Sequence, residues 1–266
     1  LHPRVQRGKP SRALGPFARR FGDQPVQRRG QPGRQRRGPV ARPLAAAGPR
    51  RPKPPGHGLP LVAPQHVVPL QAGQPLARAP RVILGAGTGL GVAGMVWNGE
   101  RSQVIPGEGG HMGFSPQTPE QLKLAEALLA QTGRVSVEDM VSGPGLVRIH
   151  RFLGGRADSP AGVGAAALDG SDPLARRALD LWLEAYGAFA GDLALQWLAR
   201  GGVYLAGGMA AKLLPDGAGA APFVAAFNAK REHRPLAEAM PIHLVTEERL
   251  GLLGALALAA ARLQTG

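Results

Sequence analysis

The 266-residue sequence contains no cysteine. That excludes disulfides, thiolate metal sites and a cysteine nucleophile, and it fits a reducing, cytoplasmic setting. No apolar run approaches the roughly 20 residues needed to cross a bilayer, and no signal-peptide core stands near the N-terminus, so a membrane is not an expected partner. Acids are almost missing from the first part: Asp23 is the sole Asp or Glu before Glu100. Residues 1–60 hold thirteen Arg and two Lys against that one acid, so the whole net charge of +14 lies there. The remaining residues balance, with 17 basic and 17 acidic side chains. The same sixty residues have no Ile, Thr, Asn, Glu, Tyr, Trp or Met, whereas Arg, Pro and Gly supply 34 of them. No helical or strand period runs through them. Such a segment buries too little apolar surface to offset the entropy of ordering it, and 1–58 is expected to be disordered. A basic tail binds nucleic acid through phosphates, but Phe17 and Phe21 are its only aromatics. Nucleic acid is therefore not an expected partner.

From about Leu59 the composition becomes that of a globular domain, expected over 59–266. Val82-Ile83-Leu84 reads as a short buried strand, and Val92 to Trp97 as its return. Thr118-Pro119-Glu120-Gln121 carries an N-cap, a proline at the first helical position and a capping-box glutamine. That helix is expected to end at Thr132, before Gly133. Ser136 and Ser142 each open a short helix. Asp172-Pro173 opens the longest one, with Leu174, Ala178, Leu181, Ala185, Phe189 and Leu193 at three- and four-residue steps and a stop at Gly201-Gly202. Val203 to Ala206 and Pro241 to Val245 read as strands, Met209 to Leu214 as a helix, and Leu250 to Leu263 as a closing Ala-rich helix. Strands alternating with helices imply an α/β layered fold.

Four loops could carry chemistry. The glycines Gly85, Gly87, Gly89 and Gly91 do not follow the dinucleotide pattern, and no Gly-Lys-Ser/Thr makes a P-loop. A glycine turn between two strands leaves N–H groups free to face an anion, with the Thr88 hydroxyl beside them; a plain glycine-rich hairpin is the alternative. In Pro106-Gly-Glu-Gly-Gly-His111, Glu108 can accept hydrogen bonds from hydroxyls, and the His111 imidazole can donate or accept. That pair suits a polyol, although a surface turn with two solvated side chains is equally simple. A metal is not expected, because no further His or acid has suitable helical spacing. Glu138 stands in the first turn of a short helix, where an acid ordinarily complements the helix dipole. Leu205-Ala-Gly-Gly-Met209 ends a strand and opens a helix, which would let a ring or a phosphate approach Gly207 and Gly208.

Taken in order, G-A-G-T-G-L-G-V-A (85–93), P-G-E-G-G-H (106–111), V-S-V-E-D-M-V-S-G-P-G-L (135–146), L-A-G-G-M (205–209) and L-G-L-L-G-A (250–255) resemble the bacterial glucokinase family. The resemblance covers roughly Leu59 to Leu263. It implies the actin-like, RNase H-like ATPase fold, with the C-terminal large domain intact and the N-terminal small domain incomplete or disordered. It implies phosphorylation of D-glucose at the 6-hydroxyl by ATP with Mg2+. It assigns Gly87, Thr88 and Gly89 to a phosphate hairpin and Glu108, His111 and Glu138 to glucose hydroxyls. Gly207 and Gly208 would face the adenosine. A homodimer in the cytoplasm is the family's expectation.

The sequence departs from the family where catalysis is centred. Neither the D-x-G-G-T hairpin nor the Asn-Asp pair, whose Asp is the base, occurs here. The expectation is an impaired kinase with no catalytic residue to name, and residues 1–57 read as an out-of-frame translation of a GC-rich gene. A sugar-binding regulator or related sugar kinase is the alternative, but the missing cysteine-rich zinc loop weighs against it. The basic tail leaves a nucleic-acid binder as the other.

Overall fold

The computed structural model describes residues 54–264. The basic segment, with the expectations of disorder and of a frame change placed on it, lies outside the described residues except at its end. There, Pro54–Gly58 form a short helix, α1.

The strands are β1 (Val67–Gln71), β2 (Arg81–Ala86), β3 (Leu90–Trp97), β4 (Ser102–Gly107), β5 (Gly202–Ala206) and β6 (Ile242–Val245). They form one sheet in the order β1-β6-β5-β2-β3-β4. Three consecutive strands, β2 to β4, pair antiparallel as a meander. β5 then joins β2 in parallel, β6 joins β5 in parallel, and β1 closes the far edge antiparallel to β6. Between β4 and β5 run α2 (Pro119–Thr132), α3 (Val137–Met140), α4 (Gly143–Phe152), α5 (Pro160–Asp169) and α6 (Pro173–Trp197). α7 (Gly208–Leu213) follows β5, α8 (Ala221–Asn228) and α9 (Arg234–Glu238) lead to β6, and α10 (Leu250–Gln264) closes the described chain. This is the α/β layering that the alternation of strand and helix patterns predicts. Among the described residues, no helix is long and apolar enough to cross a membrane.

Side chains of a strand alternate between its two faces, and the sheet uses both. Val82, Leu84 and Ala86 of β2, with Val203 and Leu205 of β5 and Ile242 and Leu244 of β6, join the main core beneath α6. Ile83, Met95, Ala206 and Val245 face the other way, into a small cluster with Leu59 and Leu250. α6 is buried along most of its length because its apolar residues recur at the helical step. Trp182 at its centre is fully buried, and its indole N–H donates to the Ser142 carbonyl at 3.1 Å. The Tyr186 hydroxyl reaches the Leu84 carbonyl at 3.4 Å, and burial pushes this phenol's pKa upward.

Several expectations need adjusting. Thr118 caps α2 as read, but the Gln121 side chain accepts from the Gln117 N–H, one residue before the cap, so the capping box is not closed. At α3 the box does close, between Ser136 and Asp139. α6 ends at Trp197 rather than at the glycine pair, because Leu198 takes a left-handed conformation and its N–H bonds the Ala194 and Leu195 carbonyls. Pro106 and Gly107, read as loop, finish β4 at a sheet edge, where a proline loses no ladder bond. The strands β1 and β4 and the helices α1, α5, α8 and α9 add to what the sequence patterns suggested.

Candidate active site

The turn between β2 and β3 is three residues, Gly87, Thr88 and Gly89, closed by the Gly87 N–H donating to the Gly89 carbonyl at 2.8 Å. Its outward carbonyl, that of Gly87, accepts from the Gly143 N–H at 2.8 Å, so the start of α4 is fastened to the hairpin. Ser142 caps α4 and also donates from its hydroxyl to the Glu138 carbonyl at 2.7 Å. The Trp182 indole holds the Ser142 carbonyl from the core side. Hairpin, α3 and α4 are thus one hydrogen-bonded unit seated on the main core.

Glu138 points from α3 to the hairpin. Its Oε2 accepts from the Leu90 N–H at 2.8 Å. The approach is so close that a Cβ at Gly89 would lie 2.6 Å from that oxygen. A side chain at 89 would therefore displace the carboxylate from its bond to Leu90. On the opposite side, Gly207 has φ +90, and a Cβ there would meet the Ala86 carbonyl at 2.5 Å. The β5–α7 connection consequently lies against the end of β2 with its backbone exposed.

Glu108 follows β4 and opens the 3-10 turn Gly109–His111, which packs on Val92 and the Leu90 carbonyl. The His111 N–H donates to the Glu108 carbonyl at 3.0 Å, and Arg134 donates to the His111 carbonyl at 2.9 Å. Burial pushes the Asp139 carboxyl upward, but the two hydrogen bonds from Ser136 and the nearby Arg148 and His111 more than reverse this, leaving its pKa below the ordinary value. Asp139 is a structural acid at the back of the loop.

These pieces border one cavity of about 690 Å3. Gly87, Thr88, Gly89, Glu108, Glu138, Gly207 and Gly208 all line it. Its size falls within the range of small-molecule sites. Of the eight residues singled out from the sequence, only His111 lies outside the lining, exposed on the 3-10 turn.

The structure adds a wall that the sequence reading did not find: Ala211 and Lys212 of α7 and Thr246, Glu247 and Glu248 after β6. The position of these residues beyond the carboxyl ends of β5 and β6 is where open α/β sheets bind ligands. Arg249 donates to both oxygens of Glu247 and, with its backbone N–H, holds that carboxyl below its ordinary pKa.

The family model described as Glucokinase matches residues 55–262. The chain belongs to the glucokinase family. The glucokinase of Nostoc sp. (strain PCC 7120 / SAG 25.82 / UTEX 2576) is 40% identical over 236 residues, covering 78% of this chain and 68% of its own. Among solved structures, a glucokinase from an Antarctic psychrotroph is 29% identical, with a TM-score of 0.67 over 77% of this chain and 66% of that one. The Balamuthia mandrillaris glucokinase, solved in complex with glucose, superposes with a TM-score of 0.69 over 78% of this chain and 64% of that one; at 24% identity it speaks for the fold alone. Family membership places the chain among the hexose kinases with the actin-like ATPase fold. It spans about two thirds of the length of these glucokinases.

Proposed function

We propose that this chain binds D-glucose and ATP side by side in the cavity, and that its chemistry is that of a glucokinase, moving the ATP γ-phosphoryl to the sugar 6-hydroxyl. The reading is carried by one observation. The glycine hairpin at 87–89, the carboxylates of Glu108 and Glu138, and the glycine pair at 207–208 come from four separate stretches of sequence and border a single cavity. Glu138 is anchored through one oxygen to the Leu90 N–H, which leaves Oε1 to accept from a sugar hydroxyl. Glu108 accepts a second hydroxyl. His111 reaches the sugar only from the rim. The hairpin N–H groups and the Thr88 hydroxyl meet the phosphates, and the exposed backbone at Gly207 and Gly208 receives the adenosine.

Magnesium fits as a passenger of the nucleotide. Among the described residues no three His, Cys, Asp or Glu cluster to hold a metal by themselves. Mg2+ on phosphate oxygens needs only one or two carboxylates, and the cavity offers that of Glu248. When bound, it would neutralise charge that develops on the transferred group.

Transfer also needs a carboxylate to take the 6-hydroxyl proton. No Asp lines the cavity among the described residues, and the sequence lacks the family's Asn-Asp string. We therefore expect turnover about 10²–10⁴-fold below that of an intact glucokinase, the usual worth of a positioned base. Calorimetry with glucose and a coupled assay with glucose, ATP and magnesium separate the two claims. Heat from glucose with turnover reduced by that factor is the expected result. Turnover close to that of an intact relative sinks the loss of the base, and an absence of heat from glucose sinks the site. A homodimer and a cytoplasmic setting are carried over from the family, and sedimentation velocity tests the dimer. The out-of-frame reading of 1–57 stands or falls on whether another frame of the coding DNA encodes the D-x-G-G-T hairpin and the Asn-Asp pair.

A further inference from the structure

We propose that Lys212 is the side chain with which this protein grips the nucleotide's phosphates, a positioning residue for the donor; the assignment rests on the nucleotide reading of the cavity. The charges around the cavity are lopsided. Glu108, Glu138, Glu247 and Glu248 line it, against Lys212 as the one Lys or Arg among the described lining residues. A polyanion that enters this space meets carboxylates on both sides. Of these, Glu247 is offset by Arg249, while Glu138 and Glu248 make no ion pair among the described residues and leave a field that opposes phosphate.

Lys212 is placed to counter that field. It stands four residues after Gly208 on α7, so both lie on the same helix face, with Ala211 beside them. All three line the cavity, together with Gly207. Gly208 and Ala211 are too small to shield the lysine stem along this wall. Lys212 is exposed and makes no ion pair among the described residues. Lys230, by contrast, is held by the Asp192 carboxylate and the Ala188 carbonyl. A lysine on the cavity wall that makes no ion pair among the described residues has donors to offer an anion. As a compact point charge on a flexible stem, it suits a phosphate chain that must shift during transfer.

The test is calorimetry on the full chain with ATP, ADP and adenosine, for the parent protein and for Lys212→Met, Lys212→Gln and Lys212→Arg. The exposed position predicts unfolding midpoints close to the parent's for all three. Removing one charge-assisted contact is expected to weaken ATP and ADP about 10–100-fold. Adenosine should change less than about twofold, Lys212→Arg should recover most of the affinity, and the salt dependence of ATP binding should flatten in the neutral variants. Unchanged ATP affinity in both neutral variants overturns the proposal. An equal loss for adenosine also overturns it, because Lys212 would then be packing against the nucleoside. Should the parent bind neither ATP nor adenosine while binding glucose, the nucleotide reading itself fails, and the lysine assignment with it.

Discussion

One face of the sheet is sealed by α2, α4, α5, α6 and α8 over Val82, Leu84, Val203, Leu205, Ile242 and Leu244. The other face carries Ile83, Met95, Ala206 and Val245, which among the described residues cluster with Leu59 and Leu250 and with half-buried Val62, Val104 and Tyr204. Leu252 and Leu256 of α10 stand more than half exposed. The cavity belongs to the thin side, since Ile83, Val245 and Leu250 line it. The thick face fixes the positions of the hairpin, α3 and α4, while the thin face leaves room for a ligand.

That contrast can be broken by substitution. The largest effect is expected on the thick face. Trp182→Ala removes a fully buried indole, its edge contact with Tyr186 at 5.2 Å and its bond to the Ser142 carbonyl. Large aromatic-to-alanine changes in cores cost about 3–5 kcal/mol, read as a lower urea midpoint. Because Ser142 caps the helix that holds the hairpin, glucose affinity should fall as well. A loss below about 1 kcal/mol would mean that the two faces are not differently built.

Next comes Glu138→Gln. The amide keeps an acceptor for the Leu90 N–H, so stability should change by less than about 1 kcal/mol. A charged acceptor is worth about 1.5–3 kcal/mol to a hydroxyl donor, so glucose should bind roughly 10–100-fold more weakly by calorimetry. If stability falls and glucose binding does not, Glu138 is a brace for the hairpin and nothing more. On the thin face, Leu252→Ser combined with Leu256→Ser should move the urea midpoint by no more than the about ±0.5 kcal/mol per site typical of surfaces. Light scattering should show less aggregation, since an exposed apolar patch has been removed. A loss comparable to that of Trp182→Ala would show that something covers α10.

The sequence was legible where local chemistry decides structure. Thr118, Ser136, Ser142 and Asp172 each cap the helix they were expected to open. The glycine hairpin was legible too, because two short apolar runs flank a run of alternating glycines. β1 was not, since Pro69 interrupts its run and the strand is recognisable only through its pairing with β6. β4 hid behind Pro106 and Gly107, which read as loop until an edge position makes them harmless. Within the site, the residues on glycine-rich motifs could be found one loop at a time. Lys212, Thr246 and Glu248 could not. Each lies on an ordinary helix face or strand end, and only the parallel pairing of β5 with β2 and β6 brings them to one wall. Motifs mark the backbone that must be special, while long-range pairing selects the ordinary side chains that share its cavity.

The smallest expected effect tests the thick face from its edge. His150 is buried on α4, and its Nε2 lies 2.9 Å from Oδ2 of Asp172, whose Oδ1 accepts from the Leu174 N–H to cap α6. The His150 bond is the main reason that the Asp172 carboxyl sits below its ordinary pKa. A depressed carboxyl contributes stability that is fully present above the unfolded value, near 3.9. That contribution is lost as pH falls through the lower folded value. Asp172→Asn keeps a cap of similar quality but cannot titrate. The difference in urea midpoint between parent and variant should therefore be level above about pH 5 and shrink as the solution is acidified toward pH 2. A difference that stays level across that range would mean that the buried histidine does not hold Asp172 in its charged form. The joint between α4 and α6 would then rest on packing and the helix cap alone.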